Sequence, residues 1–169
     1  MKLIVTDTNV FFDMMSIEVL PDFFGLDYEI CTTDFVVNEI IRIDQAEQIQ
    51  NFVRSKQLTV YKLSSNEIEE VINLKTKRNL RRITDKSVLW KALQLKCRLV
   101  TGDKNLRSEA EEQGLEVNGS LWVIKTLVET KIITPVLAVG LIEKLTTVND
   151  CLPKEEIDKL IKKYKQKSQ

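Results

Sequence analysis

The stretch Lys2-Leu3-Ile4-Val5-Thr6-Asp7-Thr8-Asn9-Val10 limits what this chain can fold into more than any other. Leu3, Ile4 and Val5 form a continuous apolar run without alternation. That pattern suits a strand buried on both faces, as at the centre of a parallel sheet covered by helices. The run stops on an acid, Asp7, followed by the small polar pair Thr8 and Asn9. Open α/β folds gather their ligands at this carboxyl edge of the sheet. Taken alone, Asp7 is equally well read as the N-cap of a helix over residues 10–15, because Asp is favoured there. Acids arriving at the same edge from elsewhere decide between the two readings.

The device returns later in the chain. Residues 98–101 read as a short apolar strand that runs into Gly102-Asp103. Residues 29–32 read as a second strand, 58–63 as an edge-like one and 115–117 as a brief last one. Residues 22–25 read as a turn. A helix over residues 35–43, capped by Thr33 or Asp34, carries Phe35, Val36, Val37, Ile40, Ile41 and Ile43, which make it apolar almost all round and predict that it is held deep in the fold. Glu39 lies within it, one turn from Phe35 and from Ile43, so its carboxylate is expected among buried side chains. Pairing with Arg42 is the plainer alternative. An amphipathic helix over 44–55 follows, then one opened by Ser64 or Ser65 with Ile68, Val71, Ile72 and Leu74 inward. The next is capped by Thr84, and its apolar residues Val88, Leu89, Ala92 and Leu93 place Asp85 on the line of the buried face. A first-turn Asp also serves the helix dipole whatever else it does. Helices over 104–113, about 121–129, 135–145 and 154–165 complete an α/β chain. It reads as one domain of residues 1–169 in which 119–169 form a C-terminal helical part.

The sequence contains no His, and Cys31, Cys97 and Cys151 are far apart, so they read as reduced and mostly buried. Catalysis by His is thereby excluded and zinc disfavoured. A metal here would be held by carboxylate oxygens, which selects hard cations, Mg²⁺ or Mn²⁺. If Asp7, Glu39, Asp85 and Asp103 converge, like charges ~4 Å apart repel by about 4 kcal/mol at an effective dielectric near 20, and the cluster calls for a cation. Carboxylates holding one or two such ions are equipment for activating water against a phosphodiester. The 25 basic and 25 acidic residues balance, so only a local patch can argue for a nucleic acid. Lys75, Lys77, Arg78, Arg81 and Arg82 supply one, immediately before Asp85. No run is long enough to span a membrane and none reads as a signal peptide, so the expected location is the cytoplasm.

Asp-Thr-Asn-Val at 7–10, Asn-Glu-Ile at 38–40, Thr-Asp-Lys-Ser-Val-Leu-Trp-Lys-Ala-Leu at 84–93 and Leu-Val-Thr-Gly-Asp-Lys-Asn-Leu at 99–106 occur in an order and spacing that resembles the PIN-domain ribonucleases. The likeness is to the small prokaryotic kind that includes VapC-like toxins, and it covers about residues 1–110. It implies a three-layer α/β/α sandwich on a parallel sheet. It also implies catalysis by Asp7, Glu39, Asp85 and Asp103 as ligands of Mg²⁺ or Mn²⁺, supported by Thr8, Asn9, Thr101 and Asn105, with RNA cut to leave a 3′ hydroxyl. Lys77, Arg78, Arg81 and Arg82 are the expected RNA contacts. RNA, a cognate antitoxin protein and a second copy of the chain are the partners that follow. The rival is a catalytically silent PIN-like module that binds RNA or protein, which retention of all four acids disfavours. Two departures stand out. Asn105 occupies a position where many members carry a further acid, which weakens a second metal site. Trp122 stands in Gly119-Ser120-Leu121-Trp122 where many members have Gly, which alters helix packing and with it the dimer geometry.

Overall fold

The computed structural model describes residues 2–167. Strands β1 (Lys2–Thr6), β2 (Tyr28–Thr33), β3 (Leu58–Tyr61), β4 (Arg98–Val100) and β5 (Val117–Asn118) form one sheet in the order β3-β2-β1-β4-β5, all parallel. β1 is central, with a neighbour on each flank, and its Ile4 and Val5 have no exposed surface. Val5 is level with Cys31 of β2 on one flank and Leu99 of β4 on the other. The chain builds outward from β1 to β3, then returns to lay β4 on the opposite flank. The strand order therefore reverses between β1 and β4, and a crevice opens at their carboxyl ends.

Helices flank the sheet: α1 (Thr8–Ser16), α2 (Leu20–Phe24), α3 (Asp34–Glu39), α4 (Ile43–Arg54), α5 (Ser65–Ile72), α6 (Ile83–Leu95), α7 (Lys104–Glu112), α8 (Ser120–Glu129), α9 (Pro135–Val148) and α10 (Lys154–Lys167). The architecture is the expected α/β/α sandwich. α6 lies across β1, β2 and β4 with α3, α5 and α7 beside it, while α1 packs on α8 and α9, and α10 on α9. Phe11, Phe23 and Phe24 form an aromatic knot in the core, extended by Phe52 of α4, whose ring stacks 4.0 Å from that of Phe24. Each such buried ring contributes about 1.5–3 kcal/mol.

Several elements differ from the sequence reading. Of residues 22–25, read as a turn, 22–24 are the end of α2, which has Pro21 in its first turn, and only Gly25, the C-cap, is in a turn; Leu20, Phe23 and Phe24 are buried at helical spacing. α1 begins at Thr8, with Asp7 as its N-cap, so Asp7 is a cap and a strand-end acid at once. The long apolar helix over 35–43 does not exist. α3 ends at Glu39, Ile40 leaves the helical region at φ −85° and ψ 87°, and α4 starts at Ile43 behind an extended Arg42. Ile41 and Ile43 are 86% and 77% exposed. The apolar run spans a change of chain direction, so its residues cannot share one buried environment. Ile72 is likewise exposed, β5 begins at Val117, and Cys151 is exposed rather than buried. Thr84 is not the cap of α6: Arg82 precedes the helix and no side chain caps it. Among the described residues no helix is long and apolar enough to cross a membrane.

Ile4→Ala should cost about 2–5 kcal/mol in denaturant unfolding because it opens a cavity at the centre of the sheet. Ile41→Ser should change stability by less than about 0.5 kcal/mol. A large loss from Ile41→Ser would restore the continuous buried helix.

Candidate active site

Asp7 leaves β1 fully buried. Its Oδ1 accepts the Thr8 backbone N–H at 2.8 Å; its Oδ2 accepts Asn9 Nδ2 at 2.7 Å and the Thr101 hydroxyl at 2.8 Å. Asn9 Oδ1 in turn accepts the Gly102 N–H at 2.9 Å, and Thr101 Oγ1 accepts the Asp103 N–H at 3.1 Å. The ends of β1 and β4 are thus clamped together by side chains where the sheet ladder has run out; the last ladder-like bond runs from the Asp7 N–H to the Val100 carbonyl at 3.0 Å. Burial pushes the Asp7 carboxyl up to about 6, against the Thr101 hydrogen bond that lowers it, and the charge of Asp85 adds to the rise.

The other acids come from three further elements. Asp103 caps α7, its Oδ1 accepting the Leu106 N–H at 2.8 Å. Glu39 closes α3 and accepts the Thr8 hydroxyl on Oε2 at 2.7 Å. The break after Glu39 is what brings it to the crevice, and its predicted partner Arg42 binds Asp44 instead. Asp85 sits in the first turn of α6, 6% exposed. Its carboxyl is raised by burial; bonding to Arg82 opposes the rise, and the charges of Asp103 and Glu39 reinforce it. Asp85 thus lies within electrostatic reach of Asp7, Glu39 and Asp103.

The positive charge among them is Arg82. Its guanidinium grips Asp85 with two bonds, Nη2 to Oδ1 at 2.9 Å and Nε to Oδ2 at 3.3 Å, and Nη1 lies 3.7 Å from Glu39 Oε1. The sequence reading places Arg82 on RNA; in the structure it is spent on the acids. The signal was present, since Arg82 and Asp85 stand at the i, i+3 spacing that pairs side chains at a helix start. Lys77 and Arg78 also have carboxylate partners, both on Glu112 at 3.4 and 2.9 Å, and buried Glu109 accepts the Arg78 backbone N–H at 2.9 Å. Only Arg81 of the four makes no hydrogen bond or ion pair among the described residues. Arg81 and Arg82 border a groove of about 440 Å³ with Asp85, Asp103, Asn79 and Asn105. Asn105, the expected supporting residue, lies exposed on this groove and holds none of the four acids.

Among the described residues no three acidic or sulfur side chains are set out as a cage for a metal ion. The donor set nevertheless suits a hard divalent cation: four carboxylates, two of them buried and one of these, Asp7, pushed up to about 6, with a guanidinium that pairs with Asp85 and Glu39.

The fold is a parallel α/β/α sandwich with four acids near the reversal of its strand order. The chain belongs to the PIN domain family: the family model DUF3368, described as a PIN domain, matches residues 3–166. PIN domains are in general nucleases. No curated protein matches the sequence. Among solved structures, a PilT N-terminus domain protein from the hyperthermophilic archaeon Sulfolobus solfataricus P2 is similar at 16% identity, over 75% of this chain and 92% of that one, with a TM-score of 0.47. A domain of a functionally unknown protein from Methanocaldococcus jannaschii DSM 2661 is similar at 20% identity, over 70% and 91%, also at 0.47.

Two outcomes follow for the metal-free protein. By ¹³C NMR the Asp7 carboxyl should titrate near pH 6, and Mg²⁺ should move the midpoint down. Because the folded value lies above the unfolded one near 3.8, the native state holds more protons in between, and stability should fall as pH rises from about 4 to 6, by up to on the order of 3 kcal/mol from this group alone. Arg82→Ala should lower the melting temperature in EDTA, since Asp85 loses charged hydrogen bonds of about 1.5–3 kcal/mol, discounted because the guanidinium is half exposed. The same variant should gain more than the wild type from Mg²⁺, as the internal cation no longer competes. An equal gain would mean that Arg82 and the ion do not share a site.

Proposed function

We propose that the protein is a metal-dependent endoribonuclease that hydrolyses RNA phosphodiester bonds with Mg²⁺ or Mn²⁺. The observation that carries this reading is the convergence of Asp7, Glu39, Asp85 and Asp103, from four separate elements, on one crevice in a chain that has no His. Asp7, Asp85, Asp103 and Glu39 would hold the ion. When bound, it supplies a Lewis acid for the phosphoryl oxygen and a lowered pKa for attacking water.

The chain's own residues set up that chemistry. Thr101 and Asn9 turn Asp7 Oδ2 to a fixed direction, and the Thr8 hydroxyl does the same for Glu39. The raised carboxyl of Asp7 means that deprotonation, and so readiness for a cation, develops between pH 5 and 7. Arg82, once displaced from Asp85, stands on the groove beside Arg81, where a phosphate of the substrate would meet both. Lys77 and Arg78 lie farther along the same run. The role of toxin in a toxin–antitoxin pair, with a cognate antitoxin protein, a homodimer and a cytoplasmic location, belongs to this reading through the family resemblance. A silent RNA- or protein-binding module is the alternative, and one observation favours it: Arg82 already neutralises two of the acids.

Purified protein should cleave single-stranded RNA with Mg²⁺ or Mn²⁺, lose activity in EDTA, and lose it at least a hundredfold, roughly 2.7 kcal/mol, in Asp85→Asn. RNA bound but left intact by the wild type under all these conditions would establish the silent module.

A further inference from the structure

Residues 102–103 and the first residues of α7 line two cavities. Asp103 and Asn105 face the groove with Arg81 and Arg82, whereas Gly102 and Lys104 line a second cavity of about 590 Å³ on the other side. This volume is in the range of small-molecule sites. Its two ends differ chemically. At the end next to the acids stand Lys104 and Arg107, three residues apart on α7 and hence on one face of it. The Arg107 guanidinium is held in place by the Thr101 carbonyl at 3.3 Å and the Val117 carbonyl at 3.4 Å. It lies so close to Gly119 that a β-carbon there would come 3.0 Å from Nη2, so a side chain at position 119 would push it away. Gly119 precedes α8 without a side-chain cap, and the positive end of that helix adds to the same place.

The far end is formed by the link between α9 and α10. Leu121, Leu152 and Pro153 give it apolar surface; Asp150 and Glu156 give it carboxylates, and Lys154 a third cation. The link is anchored to the core. Asn149 Nδ2 donates to both oxygens of buried Asp13 at 2.9 and 3.2 Å, the Ser120 hydroxyl donates to Asp13 at 2.5 Å, and the Cys151 N–H returns to Asn149 Oδ1 at 3.0 Å. In the same wall Asn118 Oδ1 is buried and accepts no hydrogen bond.

We infer that this cavity binds one nucleotide of a single strand, next to the phosphodiester presented to the acids. Lys104 and Arg107 take its phosphate. Asp150 and Glu156 accept N–H and O–H groups of base and ribose, and Leu121, Leu152 and Pro153 cover an apolar face. A simple anion would use only the cationic end; a nucleotide uses both. The inference rests on the ribonuclease reading for the direction of the strand, though not for the binding itself.

Calorimetric titration of the full chain in EDTA with the four 5′-mononucleotides and with inorganic phosphate tests it, because chelation removes any contribution of a metal. At least one nucleotide should bind tenfold or more tightly than phosphate. The double variant Lys104→Ala/Lys154→Ala should weaken it at least tenfold with an unchanged melting temperature; both side chains are exposed and make no bond among the described residues. Leu152→Glu should weaken it without affecting phosphate. Phosphate binding as tightly as every nucleotide would reduce the cavity to an anion site, and no binding, or binding indifferent to the double variant, would overturn the proposal. If nucleotides bind and RNA is never cut, the ribonuclease reading fails and this one stands; if RNA is cut and no nucleotide binds, the reverse holds.

Discussion

A carboxylate buried at the end of the central strand is the constraint on which the rest of this molecule depends. Asp7 has lost its water and kept three donors, Thr8 N–H, Asn9 Nδ2 and the Thr101 hydroxyl. Burial of a charge is tolerated only with such partners. Two of the three come from the first turn of α1 and the third from Thr101, the residue after β4, so satisfying Asp7 also fixes the end of β1 against the end of β4. Thr101 and Asn9 then pass the constraint on, to Asp103 and Gly102. One buried acid is served from both walls of the crevice.

The second level is charge balance. Asp85 and Glu39 approach Asp7 and Asp103 from the helical layer, and repulsion among them is offset within the chain by Arg82. A bidentate guanidinium on a carboxylate is a strong pairing, yet Arg82 is half exposed at the mouth of a groove and so can leave without disturbing the core. The acids are therefore compatible with two partners, one built in and one from solution. The fold is stable in the first arrangement, and the chemistry proposed here belongs to the second.

The last two helices enlarge the same region. The link between α9 and α10 is tied to Asp13 on α1, whose carboxyl is raised by burial and held down by Ser120 and Asn149. A short polar network thus turns the C-terminal helices into one wall of a cavity that shares its opposite wall with the acid-bearing loop.

How much of this was legible before the fold was known depends on the distance over which each feature is decided. The unbroken apolar run Leu3-Ile4-Val5 and the strand-end acids Asp7 and Asp103 determined by themselves a parallel sheet with its acidic edge, because both are matters of adjacent residues. Asp85 on the inner line of α6 followed from a period of 3.6 residues. Glu39 was identified, but its setting was not: Phe35 to Ile43 look like one buried helix, and only the packing of α3 on α6 and of α4 on β3 decides that the chain turns at Ile40 and leaves Ile41 and Ile43 in water. Thr84 resembles a cap, yet the chain enters α6 two residues too early for it. Arg82 belongs to a basic run in the sequence and to an acid cluster in space, since the acids it meets include one 43 positions away, at Glu39. Local pattern carries strands, helix faces and individual acids. Ion pairing, chain reversal and the meeting of Gly102, Gly119 and Leu152 around one cavity arise from contacts between distant segments, which tertiary structure alone brings together.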